Sequence, residues 1–117
     1  MTITRIDTNE RMSQAVIHGD TIYLAGQVAI DAGGESVTEQ TTNILSRIDN
    51  LLEQSGADKS KLLTATIWLA SMDDFDEMNS VWDSWVPSGD APARACVESR
   101  LAFPQFTVEI SVTAART

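Results

Sequence analysis

The spacing of apolar residues constrains the fold of this chain most, because it predicts only two helices among many strands. Apolar side chains recur three and four positions apart over residues 37–54, and again between residue 75 and Pro87. Alternating or β-branched runs predict strands over residues 3–7, 15–17, 21–28, 62–70, 93–98 and 107–115. The predicted order is β-β-β-α-β-α-β-β, an α+β arrangement. The 117 residues suit one domain spanning 1–117.

Local signals mark where the two helices begin and end. Ser36 followed by Glu39 has the spacing of a capping box at the start of the first helix, and Gly56 suits the position just after its end. Pro87 ends the second helix, because it lacks an N–H and clashes with the preceding turn. Gly26, inside the third predicted strand, indicates a bulge or the close approach of another backbone segment.

Two amphipathic helices can cover only one face of the predicted sheet. The uncovered face is expected to carry Tyr23, Ala25, Ala29 and Cys96, a semi-apolar surface of mostly small side chains. An exposed apolar patch of this extent is unusual in a monomer. The pattern therefore predicts that this face is buried in an oligomer.

Charge and cysteine content exclude several classes of function. Eight Lys and Arg against 17 Asp and Glu give a formal net charge of -9, which disfavours binding to nucleic acids and to anionic membranes. No apolar run approaches the roughly 20 residues of a membrane helix. One cysteine excludes an internal disulfide, and with one histidine it provides no zinc cluster. Because residues 1–7 lack a signal-peptide core, the cytoplasm is the expected compartment.

The strand predicted over residues 93–98 has two faces of different character. Side chains alternate along a strand, and the apolar Ala95 and Val97 suit the face that the helices cover. The uncovered face is then expected to carry the polar and reactive side chains, which are Arg94, Cys96 and Glu98.

Arg94 is the best candidate for a functional residue. Its rigid fork of donors suits a carboxylate, so one interpretation is ligand binding. The other is a structural ion pair with a glutamate such as Glu98 or Glu109, because an unpaired charge is costly to desolvate. Cys96 is interpreted either as a small buried apolar residue or as a thiol that the neighbouring cation activates.

Other prominent side chains are predicted to be structural. Asn79 lies off the apolar stripe of the second helix and is expected to face solvent. Three tryptophans lie on apolar segments and are expected in the core; they are Trp68, Trp82 and Trp85.

Five segments of the chain together resemble the RidA/YjgF (Rid) family. They are residues 13–16 (SQAV), 24–27 (LAGQ), 75–79 (FDEMN), 91–98 (APARACVE) and 108–110 (VEI). The resemblance covers essentially the whole chain, is most specific at residues 92–98, and is closest to the YoaB-like members. It implies a chorismate-mutase-like fold, one mixed sheet with both helices on one face. It also implies a homotrimer with ligand sites in the clefts between subunits.

The resemblance further implies an activity and a set of site residues. Family members hydrolyse 2-imino or enamine acids to 2-keto acids and ammonia, without a cofactor or a metal. The family arginine, here Arg94, grips the substrate carboxylate, and backbone groups around the family cysteine, here Cys96, help to hold the imine and a water. Both residues are assigned as catalytic on this basis. The other substrate-binding positions carried over are Met12, Ala25, Gly26, Asn79 and Ser111.

Three of these positions depart from the pattern of active deaminases. Met12 stands in place of a tyrosine, Ala25 in place of a serine, and Ser111 in place of a glutamate that orients the water. Hydrolysis is the leading interpretation, and the alternative is a non-catalytic trimer that binds or senses small carboxylates such as 2-keto acids. A third interpretation, ribonuclease or translation inhibitor, is disfavoured by the net charge of -9.

Overall fold

The two helices lie on one face of a mixed sheet in the computed structural model, which describes residues 1–116. The strands are β1 (Ile3–Thr8), β2 (Ser13–His18), β3 (Thr21–Leu24), β4 (Gln27–Val28), β5 (Leu62–Leu69), β6 (Ala93–Glu98) and β7 (Val108–Ala115). The helices are α1 (Val37–Gln54) and α2 (Phe75–Trp85). Among residues 1–116, neither α1 nor α2 combines the length and the apolar character that a membrane-spanning helix needs.

The sheet has the strand order β1-β2-β3-β7-β5-β6, and the short β4 pairs with β7 beyond the end of β3. The β5–β6 pair is parallel and the other pairs are antiparallel. A parallel pair needs a long crossover, and α2 provides it between β5 and β6. Because β1 and β6 come first and last in the strand order, they form the two free edges of the sheet.

The helix α1 begins and ends where the sequence signals place it. The Ser36 side chain accepts a hydrogen bond from the Glu39 N–H at 3.1 Å, so the N-cap is formed. Glu77 of α2 reinforces this end, because its Oε2 accepts from the Thr38 N–H at 2.8 Å and from the Thr38 hydroxyl at 2.9 Å. The buried stripe of α1 packs on the sheet, and Gly56 follows with a φ of 89°.

The strand predicted over residues 21–28 is broken in two. The break falls at Ala25 and Gly26, and a Cβ at Gly26 would overlap the carboxylate of Glu109 on β7. Gly26 therefore marks a close approach, as predicted, but it comes from a side chain rather than from backbone.

The predicted faces of β6 are wrong. In the parallel register Arg94 pairs with Ala65 and Cys96 pairs with Ile67, and both β5 partners are buried under the helices. Residues in register project from the same face, so Arg94, Cys96 and Glu98 lie on the helix-covered side. Val97 instead lies on the uncovered face, where it is 45% exposed.

Two further assignments to the faces are corrected. Ala29 is fully buried in the core, and it does not belong to the uncovered face. Trp68 pairs with Val97 and Glu109 on that uncovered face, so it is half-buried and lies outside the main core, whereas Trp82 is buried as expected. The uncovered face is therefore richer in large side chains than the sequence suggested.

Candidate functional site

Arg94 lies on the edge strand β6 and is held from the side by α2. Its Nη1 donates a hydrogen bond to Asn79 Oδ1 at 2.7 Å. Its Cζ lies 5.3 Å from the centre of the Trp82 ring, which is the distance of a cation–π contact. Two neutral groups therefore fix the guanidinium without neutralising its charge.

The sequence predicted that Asn79 faces solvent. This prediction is wrong, because Asn79 contacts Arg94. It is half-buried, and its amide oxygen binds the arginine. Trp82 is buried in the core, as predicted, and the face of its ring also supports Arg94. The one available signal was that positions 79 and 82 are three apart and share a helix face.

The structural ion pair predicted as an alternative for Arg94 is not formed among residues 1–116. The only ion pair in this part of the chain joins Arg47 to Asp31. Glu98 instead accepts a hydrogen bond from the Met72 N–H at 2.9 Å, which ties the loop after β5 to β6. Arg94 thus has a positive charge that no carboxylate of the described chain balances.

The outer edge of β6 presents backbone groups beside this arginine. The Ser99 N–H donates to the Leu69 carbonyl at 2.9 Å, which sets the phase of the pairing with β5. Successive residues in a strand direct their N–H and C=O groups to opposite sides, so every second residue of β6, in phase with Ser99, is paired with β5. The backbone groups of Arg94 and Cys96 point to the open edge, where no described strand pairs them.

The Cys96 thiol is not activated. Burial raises its pKa above the ordinary value of 9.0, and the nearby Arg94 cation offsets only part of that effect. Cys96 is a free, half-buried cysteine that packs against the core. Its side chain is therefore protonated at neutral pH, and its free backbone groups are the more useful part of the residue.

A second group of family positions lies at the middle of the sheet. The Ser111 hydroxyl donates to the Leu24 carbonyl at 2.9 Å, just before the strand break. Ala25 is half-buried and Gly26 is exposed there. Glu109 lies on the same face as Ser111, and burial raises the pKa of its carboxyl group above 4.5.

Met12 lies at the other end of the sheet from Arg94. It is 40% exposed in the turn between β1 and β2, where its N–H donates to Asn9 Oδ1 at 2.9 Å. Three strands, β3, β7 and β5, separate the β1–β2 pair from β6. One chain therefore brings Arg94, Asn79 and Cys96 together, and it leaves Met12 remote from them.

A mixed sheet with two helices on one face is the architecture of the YjgF proteins, as comparison with solved structures confirms. A YjgF family protein from Neisseria meningitidis superimposes with a TM-score of 0.96 at 46% identity, covering 100% of this chain and 97% of that one. The profile of the family described as "Endoribonuclease L-PSP" matches residues 2–116.

Curated relatives agree with the structural match. A RutC family protein from Haemophilus ducreyi is 48% identical over 113 residues, covering 97% of this chain and 96% of the relative. RutC family protein YoaB from Escherichia coli K12 is 47% identical over 116 residues, covering 98% and 99%. The chain belongs to the RidA/YjgF family, known also by the L-PSP name, and is close to YoaB.

Proposed function

We propose that this protein is a 2-imino/enamine acid hydrolase, in which Arg94 binds the substrate carboxylate and water releases ammonia to leave a 2-keto acid. The observation that carries the proposal is the state of Arg94. Its guanidinium is oriented by Asn79 and Trp82, and no carboxylate among residues 1–116 comes within ion-pair distance of it. A cation held in place without an anion suits an anionic ligand.

The reaction needs little from the protein beyond positioning. Water adds to C2 of the imine, the C=N bond becomes a C–N single bond, and departure of ammonia forms the C=O bond. With the carboxylate on Arg94, C2 of the ligand would lie beside the open backbone groups at Cys96. An N–H there can donate to the reacting centre and a C=O can accept from the imine nitrogen or the water. Fixing these partners next to each other supplies much of the rate.

The proposed site is completed by a second copy of the chain. Within one chain Met12 is remote from Arg94, and the two lie towards opposite edges of the sheet. A homotrimer packed through the uncovered faces would bring the β1–β2 end of one subunit to the β6 edge of the next. Tyr23 and Val97, 48% and 45% exposed on that face, are the apolar surface that such packing would bury.

The rival candidate is a trimer that binds small carboxylates without hydrolysing them. It is favoured by the side chains at Met12, Ala25 and Ser111, none of which can act as a general base. The Ser111 hydroxyl already donates to the Leu24 carbonyl, and its lone pairs can accept a hydrogen bond from water but are too weakly basic to take its proton. Both candidates use Arg94 in the same way and differ only in whether water attacks.

An imine-decay assay separates the two candidates. Threonine dehydratase acting on L-threonine, or an amino-acid oxidase, supplies the imine in situ, and 2-keto acid formation is compared with buffer. We expect acceleration by the wild type and loss of at least about tenfold in Arg94→Ala, equivalent to roughly 1.4 kcal/mol of transition-state binding. Lys61→Ala, which removes an exposed cation just before β5, is the control and should retain the activity.

If wild type and Arg94→Ala both match buffer, the hydrolase proposal is wrong. Binding of 2-ketobutyrate that is lost in Arg94→Ala would then identify a carboxylate-binding protein.

A further inference from the structure

A polar cavity lies at the end of the sheet away from Arg94. It has a volume of about 230 Å³ and lies between α1 and the strands β1, β2 and β4. Its polar lining consists of Asp7, Gln14, Gln27, Arg47, Asn50 and Gln54. Pockets for drug-sized molecules measure roughly 300–1,000 Å³, so this one suits a smaller and more polar ligand.

Arg47 provides the positive charge of the cavity and is poorly satisfied without a ligand. Its Nε is buried and has no hydrogen-bond partner among residues 1–116. Its Nη1 lies 3.8 Å from Asp31 Oδ2, but the Asp31 side chain is 78% exposed, so this pair is long and screened by solvent. Buried donors are rarely left unpaired, and a small turn of the guanidinium towards a bound carboxylate would satisfy this one.

Asp7 provides the negative charge, and its backbone is strained. It is the only non-glycine residue of the described chain with a positive φ, at 52°. The pairing between β1 and β2 is interrupted there, since Ile6 pairs with Ala15 and Thr8 with Ser13. Strain of this kind is concentrated at binding sites, and here it lies where Asp7 lines the cavity.

Two glutamine side chains that line the same cavity are held in fixed orientations. The buried Gln27 Nε2 donates to Gln14 Oε1 at 2.8 Å and to the Ala25 carbonyl at 3.1 Å. These bonds assign the amide of Gln14, whose own NH₂ remains available as a donor. The cavity therefore combines one cation, one anion and oriented amides.

We propose that this cavity binds a free α-amino acid with a small side chain, its carboxylate on Arg47 and its ammonium group on Asp7. A zwitterion matches both charges of the cavity, whereas a simple carboxylate or a simple amine would leave one of them unpaired. Asn50 and Gln54, which are exposed on α1 and also line the cavity, can bond the ligand's remaining oxygen or nitrogen atoms. This site is separate from Arg94 and does not depend on the proposed hydrolase activity.

The test is a titration of the protein with L-alanine. Isothermal calorimetry and the amide signals of residues 47–54 report the binding. Propionate and ethylamine, which each lack one of the two charges, serve as ligand controls. Arg47→Gln and Asp7→Asn remove one protein charge each, and asparagine tolerates the left-handed backbone of position 7. Lys61→Gln, at an exposed position just before β5, is the control, and Arg94→Ala reports on the other site.

We expect saturable alanine binding in wild type, Lys61→Gln and Arg94→Ala, weakened at least tenfold in Arg47→Gln and in Asp7→Asn. Propionate and ethylamine should each bind at least tenfold more weakly than alanine. The proposal is overturned by no saturable binding to the wild type, by unchanged affinity in both charge variants, or by binding lost in Arg94→Ala. Circular dichroism of each variant shows whether a lost signal reflects unfolding, and the ligand controls on wild type hold whichever variant fails to fold.

Discussion

Glu109 carries a carboxylate whose surroundings favour the neutral form. It is half-buried on the uncovered face, and its side chain fills the space that a Cβ at Gly26 would need. Burial raises the pKa of this carboxyl group above its ordinary value of 4.5. An acid with a raised pKa in the folded state destabilises the fold once it ionises, so stability is lost as pH rises through the folded-state pKa.

Glu109→Gln should therefore make the protein more stable than the wild type at neutral pH. The advantage should shrink as pH falls towards 4.5 and below, where the wild-type carboxyl group is protonated in both states. Urea denaturation at several pH values measures it. A variant less stable than wild type at neutral pH would mean that the carboxylate is paired in the assembled protein. Glu53→Gln, at an exposed position of α1, is the control.

At the residue scale, sequence chemistry identified Arg94 but could not choose between a ligand and an ion pair. That choice depends on Asn79 and Trp82, which are 15 and 12 positions earlier in the chain and meet Arg94 only when α2 packs beside β6. Distances between side chains on different elements are not encoded in the spacing of residues along one element. The family resemblance favours ligand binding by Arg94. The absence of an ion pair to Arg94 among residues 1–116 agrees with that interpretation.

At the element scale, the start of α1 is a local feature that can be tested by itself. Ser36→Ala removes the oxygen that accepts the Glu39 N–H, and it should lower the free energy of unfolding by about 1 kcal/mol. Ser46→Ala, exposed further along α1, removes no cap and should leave stability unchanged or slightly raised. Equal effects of the two substitutions in a denaturant titration would show that the cap contributes nothing.

The helices were easier to predict than the faces of the strands. The bounds of α1 follow from a cap, a regular stripe and a glycine, all of which act locally. In β6 the apolar residues Ala95 and Val97 lie on the uncovered face, and the polar residues lie under α2. The hydrophobic pattern of a strand predicts that its apolar side faces the core of the chain. That prediction fails where the face that the helices leave uncovered is itself apolar.

At the scale of the whole molecule, the uncovered face is the feature that a single chain does not explain. Trp68 is half-buried on it, and Tyr23 and Val97 are about half exposed. We predict that Val97→Glu breaks a homotrimer into monomers, because three buried carboxylates would be desolvated without partners. Ser46→Glu, on the helix side, should leave the trimer intact.

Light scattering at micromolar concentration measures the mass of the assembly and so tests this prediction. The wild type and Ser46→Glu should have three times the chain mass of 12.7 kDa, and Val97→Glu should have the mass of one chain. A monomeric wild type would contradict the assembly and, with it, a site completed by a second subunit.

The central claim is that Arg94 binds the carboxylate of a small ligand, and titration with 2-ketobutyrate tests it most directly. The amide signals of residues 94–98 in wild type, Arg94→Lys and Arg94→Ala report the binding. We predict saturable shifts in the wild type, weaker binding in Arg94→Lys because an ammonium lacks the bidentate fork, and a loss of at least about tenfold in Arg94→Ala. Equal affinity in wild type and Arg94→Ala would contradict the account.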